Sequence, residues 1–430
     1  MMTDATITGV RGRRIWDSRG RPTIEVEVHA AGGAVGRAAA PAGASRGSRE
    51  AVDLRDGGTR FGGMDVQRAL ANISGPIAHA LVGLDARRQE SIDRTLIDAD
   101  GTADKSNLGG NAIVAASLAC AHAAAAAEHA PLWRYLAGDA PVRLPLPEIQ
   151  IFGGGAHAGR RIDIQDLMVM ALSARSFAEA LEMTAEVYRA AGELMQESGK
   201  LVGVADEGGF WPQFESNEAA LEALVRAIER AGFVPGDEVA ISLDVAASEF
   251  GRNGRYRPAL EGRELDRDGM IELVIDWLDR YPIASIEDPL AEDDAEAMAR
   301  LTRAVGDRVQ VIGDDFLVTS AARVGEALRL GACNAVLIKP NQAGTLTEAR
   351  AALEAGKRAG WSTIVSARSG ETEDTSIAHL AVGWDAGQLK VGSFARSERL
   401  AKWNEVLRIE EALGSKARYA GPAALPQFRD

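Results

Sequence analysis

The sequence predicts an α/β chain, with a small α+β unit followed by a β/α barrel. The first observation is a series of apolar, β-rich runs that finish near Asp166–Met170, Val204–Asp206, Asp244, Glu287, Asp314, Lys339, Ser366 and Lys390. The second is their spacing. The steps 287→314, 314→339, 339→368 and 368→390 are 27, 25, 29 and 22 residues, each about one strand, one helix and two loops. That period marks parallel β/α units, and eight of them close a barrel. The rival, an open doubly wound sheet, carries a Gly-rich dinucleotide turn after its first strand. Here Gly153-Gly154-Gly155 leads instead to His157 and two arginines, and chemically active residues fall on many strand ends, not in one crevice.

At 430 residues the chain is too long for one compact core, so two domains are expected, 1–137 and 138–430. Residues 5–40 alternate, most clearly over Thr23–His29, and the turn at Asp17–Pro22 predicts an antiparallel meander. After the small-residue loop Pro41–Gly47, the pattern turns helical through Glu50–Leu54, Val66–Ile73, Ile77–Leu81 and Gln89–Leu96. Ala112–Ala127 is almost wholly apolar and so must be buried. The proline-bearing segment Ala140–Pro147 reads as the link between domains.

Composition narrows the function. A net charge of −14 argues against nucleic acid or an anionic membrane surface as partner. An anionic substrate must then be held by a local cluster of cations. Cys120 and Cys333 lack metal-ligand or redox spacing and read as inert thiols of a reducing compartment. The N-terminal stretch has no apolar leader core and no run reaches membrane-spanning length, so a cytoplasmic location is expected.

Asp244, Glu287 and Asp314 end successive apolar runs, and Lys339 ends the next. A barrel keeps its catalytic groups at the carboxyl ends of its strands. Any one of these acids alone reads better as a solvated loop carboxylate. Three in sequence read as hard oxygen ligands that favour magnesium over zinc. Lys339, held among cations and apolar walls, can lose its proton and act as a base, and Lys390 adds a fixed positive charge. Glu207, on the turn Val204–Gly209, supplies an acid for a departing hydroxide, although alone it reads as a plain turn. Arg368-Ser369-Gly370 offers an anion seat. His157, in a Gly-rich loop, reads as functional, whereas His79, His122, His129 and His379 lie in helical settings and read as structural.

The stretches WDSRGRPTIEVEV, GASRG, SNLGGNAI, DEGGF, SLDVAASEF, SIEDPLAEDD, GDDFLVT, LIKPNQAGT, RSGETEDT and KVGSFARSERLAKWNEVLRIEE follow in order along nearly the whole chain. In them the sequence resembles the enolase family, magnesium-dependent lyases that interconvert 2-phosphoglycerate and phosphoenolpyruvate. The resemblance implies an α+β N-terminal domain, a modified eightfold β/α barrel with irregular first units, and a homodimer joined by a Glu25–Arg408 pair. It places the Mg2+ ligands on Asp244, Glu287 and Asp314, the base on Lys339, the proton-donating carboxylate on Glu207 and the carboxylate-binding lysine on Lys390. Phosphate contacts fall on Arg368 and Ser369. A mobile loop brings Ser45 to a second magnesium, and the second loop brings His157, with Gln165 nearby.

The departures from the family pattern bear on substrate. Asp166 stands where the family keeps a glutamate partnered with Glu207, and Ala367 where it keeps a histidine before the phosphate arginine. Arg46 replaces a threonine in the closing loop, Arg160 and Arg161 stand where small or amide residues are usual, and Phe394 replaces a proline. Neutral drift is a poor account of Asp166 and Ala367, since a 1 Å displacement of a catalytic group costs roughly 100-fold. Ala367 opens space at the phosphorus end, and Arg46 with Arg160 would add positive charge there. A small anionic phospho- or phosphono-glycerate with a larger head group fits, as in the family's carboxyphosphonoenolpyruvate synthases of phosphinothricin-type biosynthesis. An ordinary glycolytic enolase and a non-catalytic scaffold are the alternatives. A racemase would need a second titrating group opposite Lys339.

Overall fold

The computed structural model describes residues 3–44 and 46–429. The chain begins with the meander β1 (Ile7–Trp16), β2 (Pro22–Ala30) and β3 (Val35–Ala39), antiparallel throughout. In β2 the buried and part-exposed positions alternate, as a sheet with one face on a core requires. Helices α1 (Gln67–Asn72), α2 (Ala78–Leu81), α3 (Gln89–Asp100), α4 (Gly110–Ala127) and α5 (Leu132–Ala137) follow. Helix α4 lies on the meander so closely that a Cβ on Gly36 would sit 2.0 Å from the Ala119 carbonyl oxygen. Glycine and a run of alanines permit that approach.

Two expectations for this region are corrected. Residues 50–54 form no helix. Their amides bond outward instead, Ala51 N to Gln342 O and Val52 N to Asp104 O, both at 2.8 Å, so the segment straps the first domain to the barrel. A run long and apolar enough to cross a membrane does exist, in α4, but 89% of it is buried inside the protein.

The second region holds β4 (Leu146–Gly153), β5 (Asp166–Ala171), α6 (Phe177–Glu197), α7 (Asn217–Arg230) and β6 (Val239–Asp244). A small antiparallel sheet of β7 (Gly251–Arg252), β8 (Arg255–Tyr256) and β9 (Leu265–Asp266) precedes α8 (Arg267–Arg280). Then β10 (Ile283–Glu287), α9 (Ala295–Val305), β11 (Gln310–Gly313), α10 (Ala321–Leu330) and β12 (Ala335–Ile338) alternate. The short α11 (Pro340–Ala343) leads to α12 (Leu346–Arg358), β13 (Ser362–Ser366), α13 (Ser376–Gly383), β14 (Gly387–Gly392) and α14 (Ser397–Leu413). Ser176, Ser216, Asp266, Asp294, Ser320 and Thr345 each accept a first-turn amide, which fixes where six of these helices begin.

The eight barrel strands close in the order β10-β11-β12-β13-β14-β4-β5-β6. They are not eight parallel units. β5 runs antiparallel to both β4 and β6, because β4 and β5 follow each other directly and two helices come after them. Val204–Asp206 is no barrel strand and makes only a single bridge, to Phe210. The missing strand is β4, which begins inside the segment read as a linker. Reversal of β5 has a chemical consequence. Its first residue, Asp166, lies level with Gly153 and Asp244 at the rim where the other strands end.

Candidate active site

That rim gathers the polar strand ends. Asp244, Glu287, Asp314, Lys339 and Lys390 come from β6, β10, β11, β12 and β14 or the residue just after each, and all are buried. Lys390 Nζ lies 2.8 Å from Asp244 Oδ2, 2.8 Å from Glu287 Oε2 and 3.4 Å from Asp166 Oδ2. Lys339 Nζ donates to Asp314 Oδ2. Gln165 Nε2 donates to Asp244 Oδ2 at 3.0 Å. His157 Nδ1 stands 3.5 Å from Asp166 Oδ1 and 3.7 Å from Glu207 Oε1.

Of these groups, His157, Gln165, Asp166, Glu207, Asp244 and the two lysines line one small cavity. Ser366, Ala367, Arg368 and Ser369 form its other wall, and Gly43 and Ala44 of the first domain cover it. Larger hollows lie beside Arg49 and Arg323 and between α3 and α12, but neither joins carboxylates to these lysines. Ser45 lies outside the described residues.

The structure places neither Arg46 nor Arg160 at this cavity. Arg46 pairs with Asp53 at 3.1 Å beside a neighbouring hollow, and Arg160 with Glu249 at 2.8 Å. Arg161 lies over the Trp211 ring, and Phe394 packs near Tyr188. The charges expected at the phosphorus end are therefore taken up elsewhere.

Several residues with no role in the sequence reading complete the site. Gln342 donates to Asp314 Oδ1 at 2.9 Å and to Glu50 Oε1 at 3.3 Å, and accepts from Thr319 Oγ1 at 2.7 Å. Glu50 binds both terminal nitrogens of Arg368, each at 3.0 Å. Arg19 donates to Ser369 Oγ at 3.2 Å. Gln150, wholly buried in β4, donates to Asp166. Glutamines and a loop glutamate carry no motif signal of their own. The one visible sign was polarity inside an apolar strand, as in Leu-Pro-Glu-Ile-Gln-Ile.

Electrostatics divide the acids. Burial pushes Glu207 upward, and the adjacent Asp166 carboxylate adds to this. Burial also opposes ionisation of Asp166, but Lys390 and His157 outweigh it and hold Asp166 below the usual carboxylate range. Paired carboxyls driven apart in this way are the signature of an acid beside a charged partner. Burial works against a charged His157, yet Glu207 and Asp166 raise it. Lys390 is raised further, since Asp244, Glu287 and Asp166 outweigh its burial.

Lys339 departs from expectation. Burial, Arg368 and Lys390 favour its neutral form, but the Asp314 carboxylate wins and keeps it protonated. For Lys339 to act as a base, Asp314 must be engaged elsewhere.

A divalent cation fits this donor set. Glu287 Oε1 is buried without a hydrogen-bond partner, and Asp244 and Asp314 supply further oxygens. The closest-set acid group containing Asp314 is a different one, with Asp288 and Asp315, whose atoms lie within 4.8 Å of one another. In it Asp288 accepts the amides of Asp314 and Asp315 at 3.0 and 2.7 Å, which reads as support for the strand end that carries Asp314.

Comparison with known families agrees with this geometry. Residues 7–136 match the family described as "Enolase, N-terminal domain", and residues 141–427 match "Enolase, C-terminal TIM barrel domain". Both halves of the architecture are thus accounted for, and the chain belongs to the enolase family, as a lyase of enolase type.

Proposed function

We propose that the protein is a Mg2+-dependent dehydratase that removes water from a 2-phosphoglycerate-like substrate with an enlarged phosphorus head group, such as carboxyphosphonoglycerate going to carboxyphosphonoenolpyruvate. Enolase-superfamily sites pair a Lys or His base with one or two magnesium ions. Asp244, Glu287 and Asp314 would hold one ion, with Ser45 assigned to a second. When bound, the ion supplies positive charge that engages Asp314 in place of Lys339 and offsets charge developing on a substrate carboxylate. Lys390 binds that carboxylate. Lys339 takes the α-proton, and Glu207 gives its proton to the departing hydroxide, which leaves as water. Arg368 and Ser369 hold the phosphorus end, with Arg368 shared between substrate and Glu50.

The observation that carries the choice of substrate is Ala367. It lines the cavity beside Arg368, and a methyl group there takes up less space than the imidazole of the family pattern. With Arg46 and Arg160 paired elsewhere, the warrant is steric. Purified protein with magnesium should turn over the carboxyphosphono substrate far faster than 2-phosphoglycerate. Rapid conversion of 2-phosphoglycerate would instead identify an ordinary glycolytic enolase. Ala367→His should slow the specialised reaction, and an unchanged rate would remove the steric argument.

The working unit in this reading is a cytoplasmic homodimer. Glu25 and Arg408 would pair across its interface. Within one chain Glu25 is engaged by Arg13, and Arg408 by Glu405 at 2.7 Å. The buried, unpaired Cys120 and Cys333 suit a reducing compartment.

A further inference from the structure

We propose that Gln150 is a positioning residue for the acid pair Asp166–Glu207, and that its length is matched to the short Asp166 side chain. The inference rests on the dehydratase reading of the site. In the β4–β5 register Gln150 faces Met168, and a shift of register between Gln150 and Phe152 then sets Asp166 opposite Gly153. Asp166 is thus not directly opposite Gln150, and the contact between them is made by their side chains alone. Here Gln150 contributes two methylenes and Asp166 one, and the amide meets the carboxylate at Oδ1.

The other end of the amide is equally fixed. Gly209 N donates to Gln150 Oε1 at 2.8 Å, and Gly209 closes the turn that carries Glu207. Because that backbone group can only donate, Oε1 must face it, which turns Nε2 to Asp166. The space is closed on both sides. A Cβ on Gly209 would lie 2.6 Å from Gln150 Oε1, and one on Gly153 would lie 3.2 Å from Nε2. One buried amide thus ties Asp166 to the turn that presents Glu207.

The chemistry separates this role from the base. Elimination breaks the C–H bond, with the proton going to Lys339, and the C–O bond, with hydroxide taking a proton from Glu207 to leave as water. A misplaced Asp166 or 205–209 turn affects the second event and leaves the first. A length match also makes a reciprocal prediction. Gln150→Asn removes a methylene and Asp166→Glu adds one, so each alone breaks the span and the two together restore it.

The test is a double-mutant cycle on Q150N, D166E and the double variant. Water elimination and exchange of the α-hydrogen in D2O are both followed with 2-phosphoglycerate and with the carboxyphosphono substrate, and thermal unfolding is measured alongside. Each single change should slow elimination about 100-fold, the usual effect of a 1 Å displacement. KM and α-hydrogen exchange should change only a few-fold, and the double variant should recover most of the lost elimination. Losses that simply add in the double variant, or exchange that falls as far as elimination, would overturn the proposal. If Q150N does not fold, D166E against the double variant decides, since matching requires the second change to repair the first. If the unsubstituted protein neither exchanges nor eliminates with either substrate, the dehydratase reading fails. The cycle is then read on unfolding temperature, where additive losses would likewise overturn the length match.

Discussion

Lys339 and Asp314 show how one contact sets a residue's chemistry. In this arrangement the amine is charged, and its role as base depends on what else holds Asp314. Lys339→Ala should lower both α-hydrogen exchange and elimination by about 10²–10⁴-fold, the range for a lost general base. A variant that kept exchange while losing elimination would move the base elsewhere. The charged residues at this scale were legible in sequence, because an acid or lysine ending an apolar strand stands out from its surroundings. Gln150 and Gln342 were not. Their importance lies in what each amide touches at both ends, and composition does not carry that.

Among the elements, the strap over residues 50–54 joins the two halves of the site. Ala51, Val52 and Leu54 have the apolar spacing of a helix, whereas their amides are satisfied by Gln342, Asp104 and Asn111. Glu50, at its start, contributes two hydrogen bonds to Arg368 and accepts one from Gln342. The Glu50–Arg368 pair is almost fully buried, with side-chain exposures of 6% and 3%. Glu50→Ala should therefore lower unfolding free energy by about 3 kcal/mol, as breaking a buried pair does, measured as a shift in urea midpoint. A change within the error of that midpoint would show that the strap contributes nothing to holding the domains together. The reversal of β5 belongs to this scale as well. Asp166–Ala171 is buried along its whole length and apolar after Asp166, and it gives no sign of direction. Direction is decided by the loop before it, which holds a single 3-10 turn and no α-helix to carry the chain back to the opposite rim.

Across the whole molecule, the domains also meet through α4 and α13. His122 Nε2 bonds Ser376 Oγ at 2.8 Å, and its ring stands 6.3 Å from that of His379. Burial lowers His379 from 6.5 to about 4; Glu405 and Asp374 oppose the shift, and His122 adds to it. His379 Nε2 is 3.3 Å from Glu405, a geometry that favours charge, but burial of the ring and the second histidine outweigh it. His122 is likewise lowered by burial. Between pH 6.5 and about 4 the unfolded chain binds more protons than the folded one, so this contribution is present above 6.5 and lost as pH falls. For His379 it is on the order of 3 kcal/mol over the full window. His379→Gln should then lose less stability than the unsubstituted protein between about pH 7 and about pH 5 by urea unfolding; an equal loss would mean the ring is already charged when folded. By itself the sequence determined the barrel, its period and the charged groups on its rim, because strand burial and strand-end chemistry are written locally. Only the tertiary structure decided that β5 runs backward, that Asp314 holds Lys339 protonated, that Arg46 and Arg160 are paired away from the cavity and that Gln150 spans the acid pair. Each of these depends on distances between segments far apart in the chain, which no local pattern encodes.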